Sequence, residues 1–181
     1  MDLKRINHPI TWIAAFVIVA GIAVAFWYLS AEAVPLPTPA SSSPLAADFT
    51  LPSTNGNVVK LTDFRGRVIV LNLWSPECDA CYDEVQTLIR LQRDFRKDIA
   101  VILVAVGTDA ATVRAAMSGL NLNFPVVIDD GTVAKAYPGD ALPRTYFIDR
   151  DGRLRATVPK HPTYPYHYFR TLTTNLISGA R

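Results

Sequence analysis

Trp74-Ser75-Pro76-Glu77-Cys78-Asp79-Ala80-Cys81 holds the only two cysteines of the chain, and its setting decides how the rest is read. It follows the apolar run Val68-Ile69-Val70-Leu71-Asn72-Leu73 and precedes apolar residues at helical spacing, so it is the junction of a strand and a helix. The strand stops at Trp74 and Pro76, which puts Cys78 at the N-terminus of the helix. Unpaired backbone N–H groups and the positive end of the helix dipole stabilise a thiolate there, making Cys78 the candidate nucleophile. One helical turn on, the sulfur of Cys81 comes within bonding reach, so the pair can cycle between dithiol and disulfide. Other uses of two such cysteines fit less well. A crosslink closing so short a loop contributes little stability. Structural zinc needs four ligands, and the chain offers two Cys and three scattered His. A c-type haem needs His directly after the second Cys, where Tyr82 stands.

With 181 residues, the chain is long enough for one domain with a self-sufficient core and a further segment. The formal net charge is +2, and no basic cluster is interleaved with aromatics, so nucleic acid is not an expected partner. Residues 10–29 carry no charge and, as a helix, would reach about 30 Å, the hydrocarbon thickness of a bilayer. Lys4 and Arg5 precede this run and no Lys or Arg follows until Lys60, so residues 1–9 are expected in the cytoplasm and everything after the span outside it. Ala31-Glu32-Ala33 leaves open a cleaved signal, although such signals have shorter apolar cores. Residues 30–46, rich in Pro, Ser and Ala, read as a linker that buries no core. A domain over residues 47–181 follows.

Within that domain, Ser53-Thr54-Asn55-Gly56-Asn57 reads as a hairpin turn before Val58-Val59-Lys60-Leu61. Val85, Leu88, Ile89, Leu91 and Phe95 recur at helical intervals after Cys81. Residues 99–106 form a second apolar run, 109–117 suit a helix capped by Thr108 or Asp109, and 124–128 suit a short strand closed by Asp129-Asp130-Gly131. Strands alternating with helices imply parallel β-α-β units. Residues 145–149 and 153–158, around the turn Arg150-Asp151-Gly152, then make an antiparallel hairpin, and a closing helix runs from about 164 to 178.

Taken together, these motifs resemble the thioredoxin superfamily and, within it, the membrane-anchored thiol-disulfide oxidoreductases of the TlpA, ResA and CcmG type. The resemblance rests on Ala47-Asp48-Phe49-Thr50-Leu51, on Val70-Leu71-Asn72-Leu73-Trp74 leading to Cys78-Asp79-Ala80-Cys81, on Glu84, and on Leu142-Pro143-Arg144-Thr145-Tyr146-Phe147-Ile148-Asp149. It implies an α/β thioredoxin-like fold, a mixed central sheet flanked by helices with an N-terminal β-hairpin extension, behind one transmembrane helix. Pro143 would be a cis-proline facing the cysteines, and a trans-proline starting an edge strand is the alternative. With Trp74, Leu142 and Arg144 it would meet the client.

Glu84 would exchange protons with the thiols, or would merely be a solvated first-turn acid suited to the helix dipole. Asn72 stands where thioredoxins carry a buried acid. Glu77 and Asp79 depart from the usual pattern; as negative charges beside Cys78 they oppose its ionisation and make the couple more reducing.

The function implied is reduction of client disulfides, on apocytochrome c or copper-centre assembly proteins, by a monomer without cofactor or metal. It would be recharged by a membrane electron donor of the DsbD or CcdA kind and would face the periplasm from a bacterial inner membrane. The rival readings are a disulfide oxidant, a non-catalytic adaptor, and a Cu(I) metallochaperone adding His161 or His167 to the cysteines. A peroxidase of the peroxiredoxin type is disfavoured, because the Pro and Thr that shape that active site are not found at the required places upstream of Cys78.

Overall fold

The computed structural model describes residues 17–22, 43–158 and 164–179. The chain divides into two compact units, Met1–Leu36 and Pro37–Arg181. In the first, residues 17–22 are helical and exposed. No helix among the described residues is long and apolar enough to cross a membrane. The rest of the expected span 10–29, residues 1–9, most of the linker and His161 lie outside the described residues.

The second unit opens with β1 (Thr50–Pro52) and β2 (Val58–Lys60), an antiparallel pair of its own, followed by a 3-10 turn, Leu61–Phe64. Then come β3 (Val68–Trp74), α1 (Asp79–Phe95), β4 (Ile99–Ala105), α2 (Ala110–Ala116), β5 (Val126–Ile128), α3 (Thr132–Ala136), β6 (Arg144–Ile148), β7 (Leu154–Val158) and α4 (Tyr166–Ser178). The sheet order is β5-β4-β3-β6-β7, with β3, β4 and β5 parallel and β6 and β7 antiparallel. This is the mixed sheet the sequence pattern implies.

Every residue of β3 and of β4 is buried, because helices and the β1–β2 hairpin cover the two faces. Side chains alternate across a strand, so the same run feeds two cores. Val68, Val70 and Trp74 join Val85, Leu88, Leu91, Phe147 and Phe169 on the face covered by α1 and α4. Ile69, Leu71 and Leu73 join Leu51, Val59, Val133, Tyr137 and Tyr146 on the other. Asn72 is the one polar residue of β3 and falls, by alternation, on the α1 face.

Three details differ from the sequence reading. The linker ends earlier than residue 46: Leu45 bridges Arg153, Ala46 N donates to Gly152 O at 2.9 Å, and Leu154 N donates to Pro44 O at 2.9 Å. Proline lacks an N–H but keeps its carbonyl, so Pro44 can still accept at a sheet margin. Asp129-Asp130-Gly131, expected only to close β5, also starts α3. Asp129 accepts from Val133 N and Ala134 N, and Asp130 from Thr132 N, which satisfies N–H groups a helix start leaves unpaired. The strand expected from residue 124 begins at Val126.

Candidate functional site

Cys78 is the N-cap of α1, with extended backbone (φ −105°, ψ 99°), and its side chain makes no capping hydrogen bond. The position that Ser or Asp commonly fills with an oxygen is thus held by sulfur, beside the unpaired N–H groups of the first turn. Cys78 N donates to Ser75 O at 3.1 Å and Cys81 N to Cys78 O at 3.0 Å, which folds the loop tightly onto the helix. Tyr82 braces it, its hydroxyl donating to Pro76 O at 3.1 Å and its ring standing edge-on to Trp74 with centroids 6.1 Å apart.

The pair is oxidised, with a Cys78–Cys81 disulfide and Cα atoms 5.3 Å apart. Cys81 is wholly buried and Cys78 only partly. An incoming sulfur therefore has one target it can approach and one it cannot. Glu77 and Asp79, on either side of Cys78, are exposed, so solvent screens their charge.

Strand pairing sets what stands across from the cysteines. Leu73 pairs with Arg144 in the β3–β6 ladder, so Pro143 lies at the end of the sheet from which the cysteine loop departs. The Leu142–Pro143 bond is cis. Leu142 is half-buried, while Pro143 and Arg144 are buried. The guanidinium of Arg144 donates through Nη1 to Gly139 O, and Tyr146, two residues on and on the same face, donates from its hydroxyl to Pro138 O at 2.7 Å. Together they hold the loop that leads into Pro143.

Two expected client contacts are corrected by these positions. Trp74 is 0% exposed and packs in the core under the loop, and Arg144 turns inward to a backbone carbonyl. Both side chains support the site from beneath.

Glu84 is drawn under the sheet side of α1. Asn72 Nδ2 donates to Glu84 Oε1 at 2.8 Å and to Thr145 Oγ1 at 2.8 Å, and the Thr145 hydroxyl donates to Glu84 Oε1. Burial pushes the carboxyl of Glu84 above its ordinary range, against the hydrogen bonds from Thr145 and Asn72 that favour the anion. The solvated first-turn acid is thus ruled out in favour of a desolvated one.

Thr145 carries no sequence signal for this role, since only the β3–β6 register brings it opposite Asn72. His167 is exposed on α4, and no group of three or more His, Cys, Asp and Glu that could hold a metal occurs among the described residues.

The raised Glu84 carboxyl has a consequence for stability. Between the ordinary glutamate pKa and the raised folded one, the folded chain holds a proton that the unfolded chain has released. Stability therefore falls as pH rises through that window, by about 1.4 kcal/mol per pH unit, and the loss is complete above it. Glu84→Gln is expected to remove this slope, so that denaturant midpoints of variant and parent diverge as the pH is raised from the ordinary glutamate pKa through the folded one. Parallel midpoints would contradict it.

Residues 44–157 match the AhpC/TSA family. The thiol-disulfide oxidoreductase ResA of Bacillus subtilis (strain 168) is 32% identical over 111 residues, which are 60% of this chain and 62% of ResA. ResA of Geobacillus thermodenitrificans is 32% identical over 115 residues, 62% of this chain and 66% of that protein. The chain thus spans somewhat less than two thirds of the curated relatives it matches. Among solved structures, a secreted Mycobacterium tuberculosis disulfide oxidoreductase homologous to E. coli DsbE superposes with a TM-score of 0.64 at 22% identity, over 71% of this chain and 96% of the other. That likeness bears on the fold alone.

Proposed function

Since the chain belongs to the AhpC/TSA family and has its thioredoxin-like fold, we propose that it is a thiol-disulfide oxidoreductase working as a reductase of client protein disulfides. The observation that carries this is the unequal burial of two bonded sulfurs at one helix N-terminus. In the reduced protein, Cys78 thiolate attacks one sulfur of a client disulfide. A Cys78–client bond forms, the client S–S bond breaks, and the displaced client thiolate takes a proton.

Glu84 carboxylate then accepts the proton of Cys81 Sγ, and the resulting thiolate attacks Cys78 Sγ. This attack forms the Cys78–Cys81 bond and releases the second client thiolate, to which the proton passes. Two electrons and the Cys81 proton have moved from protein to client, and the proton on the first client thiol comes from solvent. The backbone around cis-Pro143 and the half-buried Leu142 would receive the client strand.

The wider setting follows from the sequence. A charge-free span at residues 10–29 behind Lys4 and Arg5 supports a single-pass anchor in a bacterial inner membrane with the domain in the periplasm. An oxidising compartment then requires a membrane electron donor of the DsbD or CcdA type to regenerate the dithiol. Apocytochrome c and copper-centre assembly proteins are the client classes proposed.

The test is direct. Pre-reduced protein mixed with a peptide containing one disulfide should become oxidised as the peptide gains two thiol hydrogens, both read by mass. If the peptide stays oxidised while the protein keeps its thiols, the reductase assignment fails.

The acids beside Cys78 tune this couple. Glu77→Gln with Asp79→Asn is expected to lower the Cys78 pKa and raise the reduction potential, modestly because both positions are exposed. Titrating the thiolate at 240 nm and equilibrating against glutathione would detect both changes, and constancy of both would remove the acids from the account.

A further inference from the structure

We propose that Asn72 and Thr145 are positioning residues that fasten Glu84 Oε1 as a permanent acceptor, so that the proton Glu84 exchanges with the cysteine pair travels on Oε2. The inference rests on the reading of Glu84 as proton carrier and adds the atom and the groups that select it.

With Glu84 ionised, counting protons gives the direction of each hydrogen bond in the cluster. Asn72 Nδ2 has two, and it gives one to Glu84 Oε1 and one to Thr145 Oγ1, each at 2.8 Å. The Thr145 hydroxyl, already accepting from Asn72, has a single proton and gives it to Glu84 Oε1. Two donors therefore converge on one carboxyl oxygen. Oε2 receives no hydrogen bond among the described residues, yet it is not among the sealed polar atoms left without a partner.

The amide orientation adds to this. Asn72 Oδ1 is buried without a partner, and both N–H groups of the same side chain are used, one on Thr145 and one on Glu84. Asn72 and Thr145 are each 0% exposed and face one another across the β3–β6 ladder, so water does not substitute for either. Placing a proton on Oε1 would displace a donor that has no other acceptor within reach, the costly outcome for a buried polar group. Placing it on Oε2 leaves the cluster as it stands.

No charged side chain competes for Glu84. On α1, Asp79 and Asp83 are exposed, the Tyr82 hydroxyl is bound to Pro76 O, and the sulfurs of Cys78 and Cys81 are the other titratable groups of that first turn and its cap. On β6, Arg144 and Tyr146 face away and are bound to Gly139 O and Pro138 O. On α4, Tyr166 donates to Asp94, and His167 and Arg170 are exposed. Glu84 lies three residues after Cys81, one turn along the same helix.

The experiment is infrared difference spectroscopy on the full chain in its reduced form, titrated with pH. Glu84→Gln assigns the protonated-carboxyl band. With Oε1 as a carbonyl accepting two hydrogen bonds, that C=O band should lie low. Thr145→Val, which deletes one donor, should move the band up in frequency and its titration to higher pH, and Thr145→Ser should restore both. Should Thr145→Val not fold, Thr145→Ala makes the same deletion. The pH profile of Cys78 alkylation should follow the carboxyl in each variant, and should be insensitive to Thr145→Val in the Glu84→Gln background.

A band and titration unmoved by Thr145→Val and Thr145→Ala would overturn the positioning inference alone. A carboxyl that shifts while the alkylation profile stays put would overturn the proton-carrier reading, and the inference with it. Failure of the client-disulfide assay alone would leave the infrared result standing.

Discussion

Cys78→Ser is expected to reduce client disulfides no faster than the uncatalysed exchange, whereas Cys81→Ser should still attack and then stall as a mixed disulfide. The two substitutions each remove one sulfur, yet they act on different steps because the sulfurs are not equivalent in space. Cys78 is partly exposed at the helix N-terminus, and Cys81 is wholly buried one turn in. Serine at 78 keeps the capping geometry but stays a neutral hydroxyl near neutral pH, so the dipole has no anion to stabilise. With Cys78 gone, the buried sulfur of Cys81 has no line of approach to a client. With Cys81 gone, the first exchange proceeds and nothing releases the product. Mass spectrometry of the intact adduct with a disulfide peptide reads both outcomes. Stable adducts at position 81 in the Cys78→Ser variant, at a rate matching the parent's first step, would reverse the assignment. In cells the same Cys81→Ser adduct would carry the client with it.

The second large effect concerns the platform on which the site rests. Phe147→Ala is expected to destabilise the domain by about 3–5 kcal/mol, a large fraction of the ~5–15 kcal/mol that holds a typical domain together. Phe147 is 0% exposed in the middle of β6, on the face that meets α1 and α4, with its ring centroid 6.0 Å from that of Phe169. Its removal opens a cavity between the sheet and both helices. The melting temperature should fall by roughly 10 °C or more on the scaling for a domain of this size. Val58→Ala provides the comparison, since Val58 is 63% exposed and its loss should change stability by less than about 0.5 kcal/mol. A Phe147→Ala loss under about 1 kcal/mol would mean that this face is not a packed core.

The parts of this domain that were legible in the sequence are those written in local periodicity. The runs of β3 and β4 are apolar at every covered position but Asn72, α1 repeats its apolar residues at the helical interval, and the β6–β7 hairpin announces itself by an Asp-Gly turn between two strand-like runs. The cysteine spacing and the Trp-Ser-Pro before it fixed the helix start at Cys78.

What stayed hidden depends on register between distant strands. Asn72 and Thr145 are 73 residues apart, and nothing near either says that they meet. The same holds for Arg144, which the family resemblance offers as a client contact, while pairing and the Gly139 carbonyl turn it inward. Trp74 is hidden for a related reason: as the last inward residue of β3 it belongs to the core, although the resemblance offers it as a client contact. The five residues of α3 are too few to show a period, and only the side chains of Asp129 and Asp130 mark where it starts.

The early joining of residues 44–46 to residues 152–154 has a geometric consequence. The turn before Leu154 follows β6 at Ile148, which pairs with Ile69 near the start of β3, whereas Cys78 follows the end of β3 at Trp74. At ~3.3 Å per residue, that strand separates the two by roughly 20 Å. Residues 44–46 are thus held at one pole of the domain, and the reactive sulfur is presented at the other, where a large folded client can come up to it clear of that seam.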